Sequence, residues 1–326
     1  MADLAYLALL SLVPIVFLVF LKFILRPHPM KIPIKSRHVM ITGGSSGIGL
    51  ALAHQAAAEG ARVTILARNQ ERLEEAKASI RLSTGIDVGI VSADVCDFEA
   101  VKEAVETVGP IDILICNQGV FVAQELDNQD IKDIRGMIDI NLIGSFNLVK
   151  AALPGMKNRT DRKPVSIAFM SSQAGQVGIY GYTAYSASKF GLRGLAEALQ
   201  HEVISDNIHV SLIFPPDTDT PGLIEENKNK PRVTSIIAAS SGAMKADEVA
   251  KKAWDGIKSG SFIVPCNLEG FALSIATAGL SPQRSVFMAF LEVVSAPLFR
   301  IVALCIQFSW YGIIEKEKNP HTQQGQ

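Results

Sequence analysis

The sequence has few cysteines and no large excess of charge of either sign. Its 326 residues carry a formal net charge of −1, so the chain offers no basic field that would attract nucleic acid. The 4 cysteines are far apart, with no CxxC pair and no histidines at ligand spacing, which argues against a metal site and a disulfide framework. Scattered thiols of this kind are typical of a reducing compartment.

Long hydrophobic runs are present, and they lie at the two ends of the chain. Residues 4–25 are almost wholly apolar and could cross about 30 Å of hydrocarbon as a helix. A cleaved signal peptide would begin with basic residues, and this run has none before it. We therefore predict a membrane anchor over residues 1–26. The positive-inside rule places the body of the protein in the cytoplasm, because basic residues flank the end of the run: Lys22, Arg26, Lys31, Lys35 and Arg37.

The C-terminal run is more ambiguous than the N-terminal one. Residues 286–314 are apolar but contain Glu292, Pro297 and Arg300, and a charge at mid-depth costs roughly 2.5–3.5 kcal/mol on insertion scales. We expect residues 266–314 to form membrane-associated helices that dip into or lie on the bilayer, or cap the active site. A clean second span is the alternative. Residues 315–326 read as a polar tail.

Between the ends, apolar strands alternate with amphipathic helices. A linker over residues 27–35 precedes a domain over residues 36–265, in which strands are predicted at 38–42, 62–67, 88–93, 111–116, 165–170 and 210–214, with a short seventh at 262–264. Helices are predicted at 48–60, 70–81 and 98–108, among others. Continuous apolar strands indicate an α/β fold with a doubly wound parallel sheet covered on both faces. Ligands of such sheets bind beyond the carboxyl ends of the strands.

A glycine-rich turn follows the first predicted strand and opens a helix. Glycines let the backbone turn tightly and approach a pyrophosphate, whose negative charge meets the helix N-terminus. A tight turn without a ligand is the alternative, and the strand–turn–helix context argues against it. The residues expected to bind the dinucleotide here are Gly43, Ser45, Ser46, Gly47, Ile48 and Gly49.

The end of the second predicted strand bears on the choice between NAD and NADP. An acidic residue there would bind the ribose 2′-hydroxyl, whereas this chain has Ala67, Arg68 and Asn69. Arg68 can bind a 2′-phosphate bidentately, and Arg72, four positions on, could add a second cation. The alternative is that Arg68 is only a solvated loop residue. We predict NADPH as the cofactor.

The third and fourth strands end in polar residues that suit the rest of a dinucleotide. Asp94 and Val95 close the third strand, where the carboxylate could bind the adenine amino group. Asn117 and Gly119 follow the fourth strand and would line the adenosine ribose. Asp97 is better placed as the N-cap of the helix that begins at Phe98.

Tyr185 and Lys189 are spaced so that both side chains lie on one face of a helix. A nearby ammonium favours the phenolate, so we expect Lys189 to lower the pKa of Tyr185 and make it a general acid near neutral pH. Ser172, at the end of the fifth strand, could hold the substrate oxygen, with Ser171 as the alternative. Asn141 could anchor a water that relays protons to Lys189, or make only a polar contact inside its helix.

These motifs together resemble the short-chain dehydrogenase/reductase family over residues 36–265. The resemblance implies a seven-stranded Rossmann sheet, with hydride transfer from a nicotinamide to a carbonyl, proton donation by Tyr185 and a ribose contact from Lys189. It also implies cofactor contacts from Pro215 and Thr220. Two residues depart from the family pattern: Gln118 stands between Asn117 and Gly119 in place of alanine, and Pro216 replaces the usual glycine after Pro215.

Residues 171–176 and 215–222 are similar to a membrane-anchored branch of that family, which uses NADPH to reduce long-chain amino ketones in sphingolipid synthesis. The resemblance implies an endoplasmic reticulum membrane protein facing the cytosol, in contact with membrane lipid. Alternatives are a steroid or retinoid reductase and a catalytically idle scaffold subunit. A homo-oligomer could form through residues 191–202. We expect a carboxylate after the sixth strand to bind the substrate ammonium, with Asp219 favoured among Asp217, Asp219, Glu225 and Glu226.

Overall fold

A computed structural model describes residues 2–25, 30–239 and 242–318, with side chains from residue 14 onward. Arg26, the start of the predicted linker and residues 319–326 of the predicted tail lie outside the described residues. The strands are β1 (His38–Thr42), β2 (Arg62–Ala67), β3 (Gly89–Ser92), β4 (Ile113–Cys116), β5 (Val165–Met170), β6 (Ile208–Phe214), β7 (Thr218–Asp219), β8 (Met244–Lys245) and β9 (Ile263–Pro265). The helices are α1 (Ala2–Leu25), α2 (Gly47–Ala58), α3 (Gln70–Thr84), α4 (Phe98–Val108), α5 (Ile131–Ile138), α6 (Gly144–Lys157), α7 (Thr183–Val203), α8 (Pro221–Asn227), α9 (Arg232–Ala238), α10 (Ala246–Lys258), α11 (Leu268–Ala276) and α12 (Val286–Lys318).

Seven strands form one parallel sheet in the order β3-β2-β1-β4-β5-β6-β9. The predicted doubly wound α/β fold is thus confirmed. The chain leaves β1 toward β3 on one side and returns to β4 on the other, so the winding direction reverses between β1 and β4. A crevice opens at such a reversal, beyond the carboxyl ends of the strands. Strands β7 and β8 form a separate two-stranded ribbon.

The strands are rich in apolar residues because helices cover both faces of the sheet. One face packs against α2, α3 and α10, which contribute Leu52, Leu73 and Trp254 to a buried cluster. The other packs against α4, α6 and α7, through residues such as Leu148 and Leu192. Residues 191–202 were predicted to form contacts between subunits, but several of them, such as Leu192, are buried within the chain itself. The homo-oligomer therefore stays a prediction.

Local sequence signals fixed several element boundaries. Strands β1, β2 and β5 and helix α4 have the predicted bounds. Asp97 caps α4 as expected, since its Oδ1 accepts hydrogen bonds from the backbone N–H of Glu99 at 3.0 Å and of Ala100 at 3.1 Å. Helix α3 continues three residues past its predicted end, to Thr84, where Gly85 adopts a left-handed conformation with φ of 73°.

The apolar ends of the chain form two long helices that pack on each other. The rings of Phe17 in α1 and Phe290 in α12 lie 5.8 Å apart. Helix α12 is continuous through Pro297 and is long and apolar enough to cross a membrane, judged by length and composition. It runs past the predicted start of the polar tail, and ion pairs in its last turn join Glu317 to Arg232 of α9 at 2.9 Å and Lys318 to Glu125 at 2.8 Å.

A buried histidine links β6 to the segment that leads into α12. His209 is 2 % exposed, and its Nδ1 lies 2.9 Å from the Arg284 guanidinium while its Nε2 lies 2.8 Å from Asn207 Oδ1. Because Arg284 can only donate, Nδ1 accepts and Nε2–H donates, which fits the neutral ring. Burial, and after it the charge of Arg284, lower the pKa of His209 to about 4.

We predict that His209 makes the protein sensitive to acid. The unfolded chain binds this proton below about pH 6.5 and the folded chain does so only near pH 4, so stability is lost as pH falls between these values. From pH 6.5 to pH 5, wild type should lose about 2 kcal/mol of unfolding free energy through this residue. Urea unfolding at the two pH values should show a smaller loss for His209→Gln. His201→Gln, at an exposed position of α7, should match wild type, and an unchanged loss in His209→Gln would refute the assignment.

Candidate active site

The glycine-rich turn between β1 and α2 is built so that two backbone segments nearly touch. Gly43 and Gly47 have φ of 62° and 53°, a region that favours glycine. A Cβ at Gly49 would lie only 2.3 Å from the carbonyl oxygen of Gly43. The turn therefore curls tightly around the N-terminus of α2, and Ser45, Ser46 and Ile48 line a cleft there. This is the form of a phosphate cradle.

The end of β4 holds the turn in place. Asn117 Nδ2 donates to the Thr42 carbonyl at 3.1 Å, and the Asn117 N–H donates to Thr42 Oγ1 at 3.0 Å. The side chain of Gln118 points into the protein, where its Oε1 accepts from Thr42 Oγ1 at 2.5 Å and its Nε2 donates to Ser145 Oγ at 3.0 Å. Gln118, bulkier than the alanine of the family pattern, thus joins the end of β1 to α6 through hydrogen bonds, and Gly119 still lines the cleft.

Asn117 and Gly119, predicted to contact the adenosine ribose, line this cleft, whereas the other residues predicted for the adenosine end lie at the same edge of the sheet but outside its lining. Arg68 and Arg72 are exposed, and neither forms an ion pair with any residue that the structure describes. Asn69 caps α3 by accepting from the Arg72 N–H at 2.9 Å. Asp94 Oδ1 accepts from the Cys96 N–H at 3.0 Å, and Val95 is buried against α6.

The acid–base residues meet at the floor of the cleft. Tyr185 and Lys189 both lie on α7, with Lys189 Nζ 5.6 Å from the centre of the Tyr185 ring. Lys189 Nζ donates to the Met170 carbonyl at the end of β5 at 2.9 Å. Ser172 hydrogen-bonds with Tyr185, whereas Ser171 is buried and donates to the Lys189 carbonyl at 3.2 Å. This geometry favours Ser172 over Ser171 as the residue that meets a substrate oxygen.

Burial shifts both titrating groups away from their charged forms. Burial raises the pKa of Tyr185 to about 12, against a lowering by the Ser172 hydrogen bond, and the charge of Asp217 adds to the rise. Burial also lowers the pKa of Lys189 to about 8. The expectation that Lys189 lowers the pKa of Tyr185 is wrong, because desolvation of the phenolate dominates and Lys189 is not among the groups that shift this pKa. At neutral pH Tyr185 is a neutral phenol that can donate its proton.

Asn141 is buried in a π-helical turn, Asp139–Ile143, between α5 and α6. Its Oδ1 accepts from the Val120 N–H at 2.8 Å, and its Nδ2 donates to the Val120 carbonyl and to Ser188 Oγ, both at 2.9 Å. Gly119 separates it from Lys189, since a Cβ there would lie 3.5 Å from both side chains. Asn141 thus holds the segment after β4 against α7, and its water-relay role stays a prediction. Turns of this kind often mark functional sites.

The cleft has a volume of about 290 Å³, and the segment after β6 closes one side of it. Pro215 and Thr220 line it, and their predicted contacts with the cofactor stay a prediction. Thr220 caps α8 by accepting from the Leu223 N–H at 3.3 Å, and its methyl group would lie 3.0 Å from a Cβ at Gly47.

Sequence reasoning did not identify two aromatic residues of the cleft. The rings of Phe121 and Tyr182 each lie 5.6 Å from that of Tyr185, and both residues line the cleft. Tyr182 precedes Tyr185 by three positions, a helical spacing that could have pointed to it. Glu226 of α8, one of the four carboxylates considered for the substrate ammonium, also lines the cleft, and no local signal set it apart from the other three.

The predicted preference for Asp219 is not supported by its position. Asp219 is exposed on β7 and does not line the cleft, whereas Asp217 and Glu226 do. The strand β7 pairs with β8 and thereby fixes the direction of this segment, which the sequence alone did not reveal.

Comparisons with known proteins agree with this geometry. A family model described as short chain dehydrogenase matches residues 37–231. The chain is 63 % identical to 3-dehydrosphinganine reductase TSC10A of Arabidopsis thaliana, over 92 % of each chain. It is 38 % identical to 3-ketodihydrosphingosine reductase of Mus musculus, over 90 % of this chain and 89 % of that one. Among solved structures, levodione reductase superimposes with a TM-score of 0.65 at 26 % identity, over 72 % of this chain and 96 % of that one.

We predict that Gly49→Ala disrupts the cradle and weakens dinucleotide binding at least about tenfold. The added Cβ would lie 2.3 Å from Gly43 O and 2.6 Å from Asn117 Nδ2, so the turn must move. Fluorescence titration with NADPH and with NADH measures the effect. Gly136→Ala is the matched control, because a Cβ there meets nothing within 4 Å. Wild-type affinity in Gly49→Ala would show that the close approach is not needed.

Proposed function

Because this chain belongs to the short-chain dehydrogenase family, as its motifs predicted, we propose that it uses NADPH to reduce 3-dehydrosphinganine (3-ketosphinganine) to sphinganine. The observation that carries this function is the juxtaposition of Ser172, Tyr185 and Lys189 beside the glycine cradle in one cleft. An oxidoreductase of this family binds a nicotinamide dinucleotide at the carboxyl edge of the sheet, and the glycine cradle fits one.

A bound nicotinamide cofactor would supply the hydride for the ketone carbon. The protein's own residues then handle the oxygen. Ser172 Oγ donates a hydrogen bond to the ketone oxygen, and Tyr185 gives it a proton, which yields the alcohol. The Lys189 ammonium stabilises the phenolate that remains on Tyr185 until solvent returns a proton. Lys189 is fixed for this role because its Nζ is tied to the Met170 carbonyl.

Two features support a sphingoid ketone as the substrate. Relatives over nearly the full length of the chain are named for 3-dehydrosphinganine or 3-ketodihydrosphingosine reduction. The catalytic domain also carries long apolar helices, as an enzyme needs when its substrate has an alkyl chain whose every CH₂ favours burial by about 0.8 kcal/mol. A steroid or retinoid ketone, the alternative from the sequence, would suit the helices but not the names of these relatives.

The choice of NADPH over NADH rests on the end of β2. The strand is followed directly by Arg68 and Asn69 with no carboxylate, and Arg68 and Arg72, the latter in the first turn of α3, form no ion pair with any described residue. Two unpaired cations complement a 2′-phosphate, which carries charge that a 2′-hydroxyl lacks. Asp94 and Val95 then border the adenine, and Asn117 and Gly119 the adenosine ribose.

We also propose that the enzyme is held at the endoplasmic reticulum membrane with its catalytic domain in the cytosol. Helix α12 is long and apolar enough to enter a bilayer, and it packs against the apolar helix α1. Lys31, Lys35 and Arg37 follow α1, and the positive-inside rule puts such residues on the cytosolic side.

We predict that Tyr185→Phe lowers kcat for 3-ketosphinganine reduction by about 10²–10⁴-fold, the usual contribution of a general acid. NADPH affinity should stay within a few-fold, since the ring remains. Loss of NADPH absorbance, followed in detergent, measures turnover, with Tyr311→Phe on α12 as the control. Turnover within tenfold of wild type would contradict the role of Tyr185 as proton donor. A wild-type enzyme that binds NADPH but leaves this ketone unreduced would refute the substrate.

We predict that Arg68→Ala raises KM for NADPH by about 10–100-fold and leaves KM for NADH unchanged. A hydrogen bond to a charged group contributes about 1.5–3 kcal/mol, and only NADPH offers the 2′-phosphate. Arg81→Ala, at an exposed arginine in the last turn of α3, is the matched control. Equal losses with both cofactors would show that Arg68 does not read the 2′-phosphate.

A further inference from the structure

A second group of charged side chains lies in the wall of the cleft. Lys230 Nζ lies 3.2 Å from Asp217 Oδ2 and 3.1 Å from Glu226 Oε1. The Tyr182 hydroxyl donates to the same oxygen of Glu226. The side chains of Lys230 and Glu226 are 5 % and 4 % exposed and that of Asp217 is 35 % exposed, so the cluster is largely buried and is open to solvent at Asp217. We call these four residues the charged wall.

The charged wall has one more negative than positive charge. Asp217 and Glu226 are two carboxylates, and Lys230 is the cation between them. In each carboxylate only one oxygen is contacted: Asp217 Oδ2 by Lys230, and Glu226 Oε1 by Lys230 and Tyr182. Within the described part of the chain, the other two oxygens, Asp217 Oδ1 and Glu226 Oε2, accept no hydrogen bond. Neither of these two oxygens is fully buried, so a cation arriving in the cleft can reach them and pair with them.

The charged wall lies directly beside the proton donor. The Tyr182 ring is 5.6 Å from the Tyr185 ring, and Glu226 is bonded to the Tyr182 hydroxyl. Asp217 is close enough that its charge acts on Tyr185. Both carboxylates line the same cleft as Ser172 and Lys189. A substrate whose ketone oxygen meets Tyr185 and Ser172 therefore places its neighbouring atoms near this wall.

We infer that Asp217 and Glu226 bind the protonated amine of the substrate, on the carbon next to the ketone. The inference rests on the proposed function, since it concerns an amino ketone. Lys230 holds the two carboxylates together and cancels one of their charges, which leaves the wall with a deficit of one positive charge. An ammonium group fills that deficit, and a neutral ketone cannot.

Two neighbouring carboxylates provide matched controls. Glu225 stands one position before Glu226, but its side chain is 73 % exposed and pairs with Lys228. Asp219, two positions after Asp217, is exposed and lies outside the cleft lining. Neutral substitutions at these positions change the charge of the same segment without touching the charged wall.

The test compares two ketones that differ in the amine alone: 3-ketosphinganine and the same chain without its 2-amino group. Glu226→Gln and Asp217→Asn should each raise KM for the amino ketone at least tenfold and change KM for the amine-free ketone less than threefold. Wild type should prefer the amino ketone. Glu225→Gln and Asp219→Asn should behave as wild type with both substrates. NADPH titration verifies that each variant keeps its fold.

The outcomes separate this inference from the proposed function. If Glu226→Gln and Asp217→Asn raise KM equally for both ketones, the amine does not bind at these carboxylates. Wild-type turnover of 3-ketosphinganine would then still support the proposed function. If Asp219→Asn selectively raises KM for the amino ketone and Asp217→Asn does not, the exposed carboxylate binds the amine and the inference is overturned. If wild type reduces neither ketone with NADPH, both the function and the inference fail. If Glu226→Gln does not fold, the KM values of Asp217→Asn for the two ketones decide whether the amine binds at the charged wall.

Discussion

The close approach of Gly49 to the carbonyl of Gly43 is the constraint on which the rest of the site depends. It sets where α2 begins, and α2 in turn buries Leu52 and Ala56 on the sheet. Thr42 and Asn117 hold the approach by tying the ends of β1 and β4 together across the winding reversal. One contact between two glycines thus couples the packing of a helix, the pairing of two strands and the shape of the phosphate cradle.

Burial sets the pKa values of the two acid–base residues, Tyr185 and Lys189. A phenol and an ammonium in water would both be protonated at neutral pH, and only the ammonium would be charged. In the cleft, desolvation raises the pKa of Tyr185 to about 12 and lowers that of Lys189 to about 8. Tyr185 is therefore protonated at neutral pH and can donate its proton to the oxygen of a ketone that is being reduced. The nearby carboxylate of Asp217 acts in the same direction, so the charged wall and the proton donor are electrostatically coupled.

The sequence was most informative where the chemistry depends on neighbours along the chain. Glycine spacing, the helical spacing of Tyr185 and Lys189 and the Asp97 cap are local patterns, and the structure places all of them as expected. Sequence reasoning named Asp217 and Glu226 among four candidate carboxylates but could not single them out, because they meet Tyr182 and Lys230 only in the folded chain. The inward turn of Gln118 and the rise in the pKa of Tyr185 likewise follow from tertiary burial, for which single-residue spacing carries no signal.

The apolar C-terminal helix connects physically with the cleft. Its length is about 50 Å at 1.5 Å per residue, and its last turn forms ion pairs with Arg232 of α9 and with Glu125. Ala238, at the other end of α9, lines the cleft. The short helix α9 therefore links the charged last turn of α12 to the wall of the cleft. An alkyl chain favours burial by about 0.8 kcal/mol per CH₂, so a substrate that leaves the bilayer beside α12 is stabilised when it reaches the cleft along the protein surface and not through water.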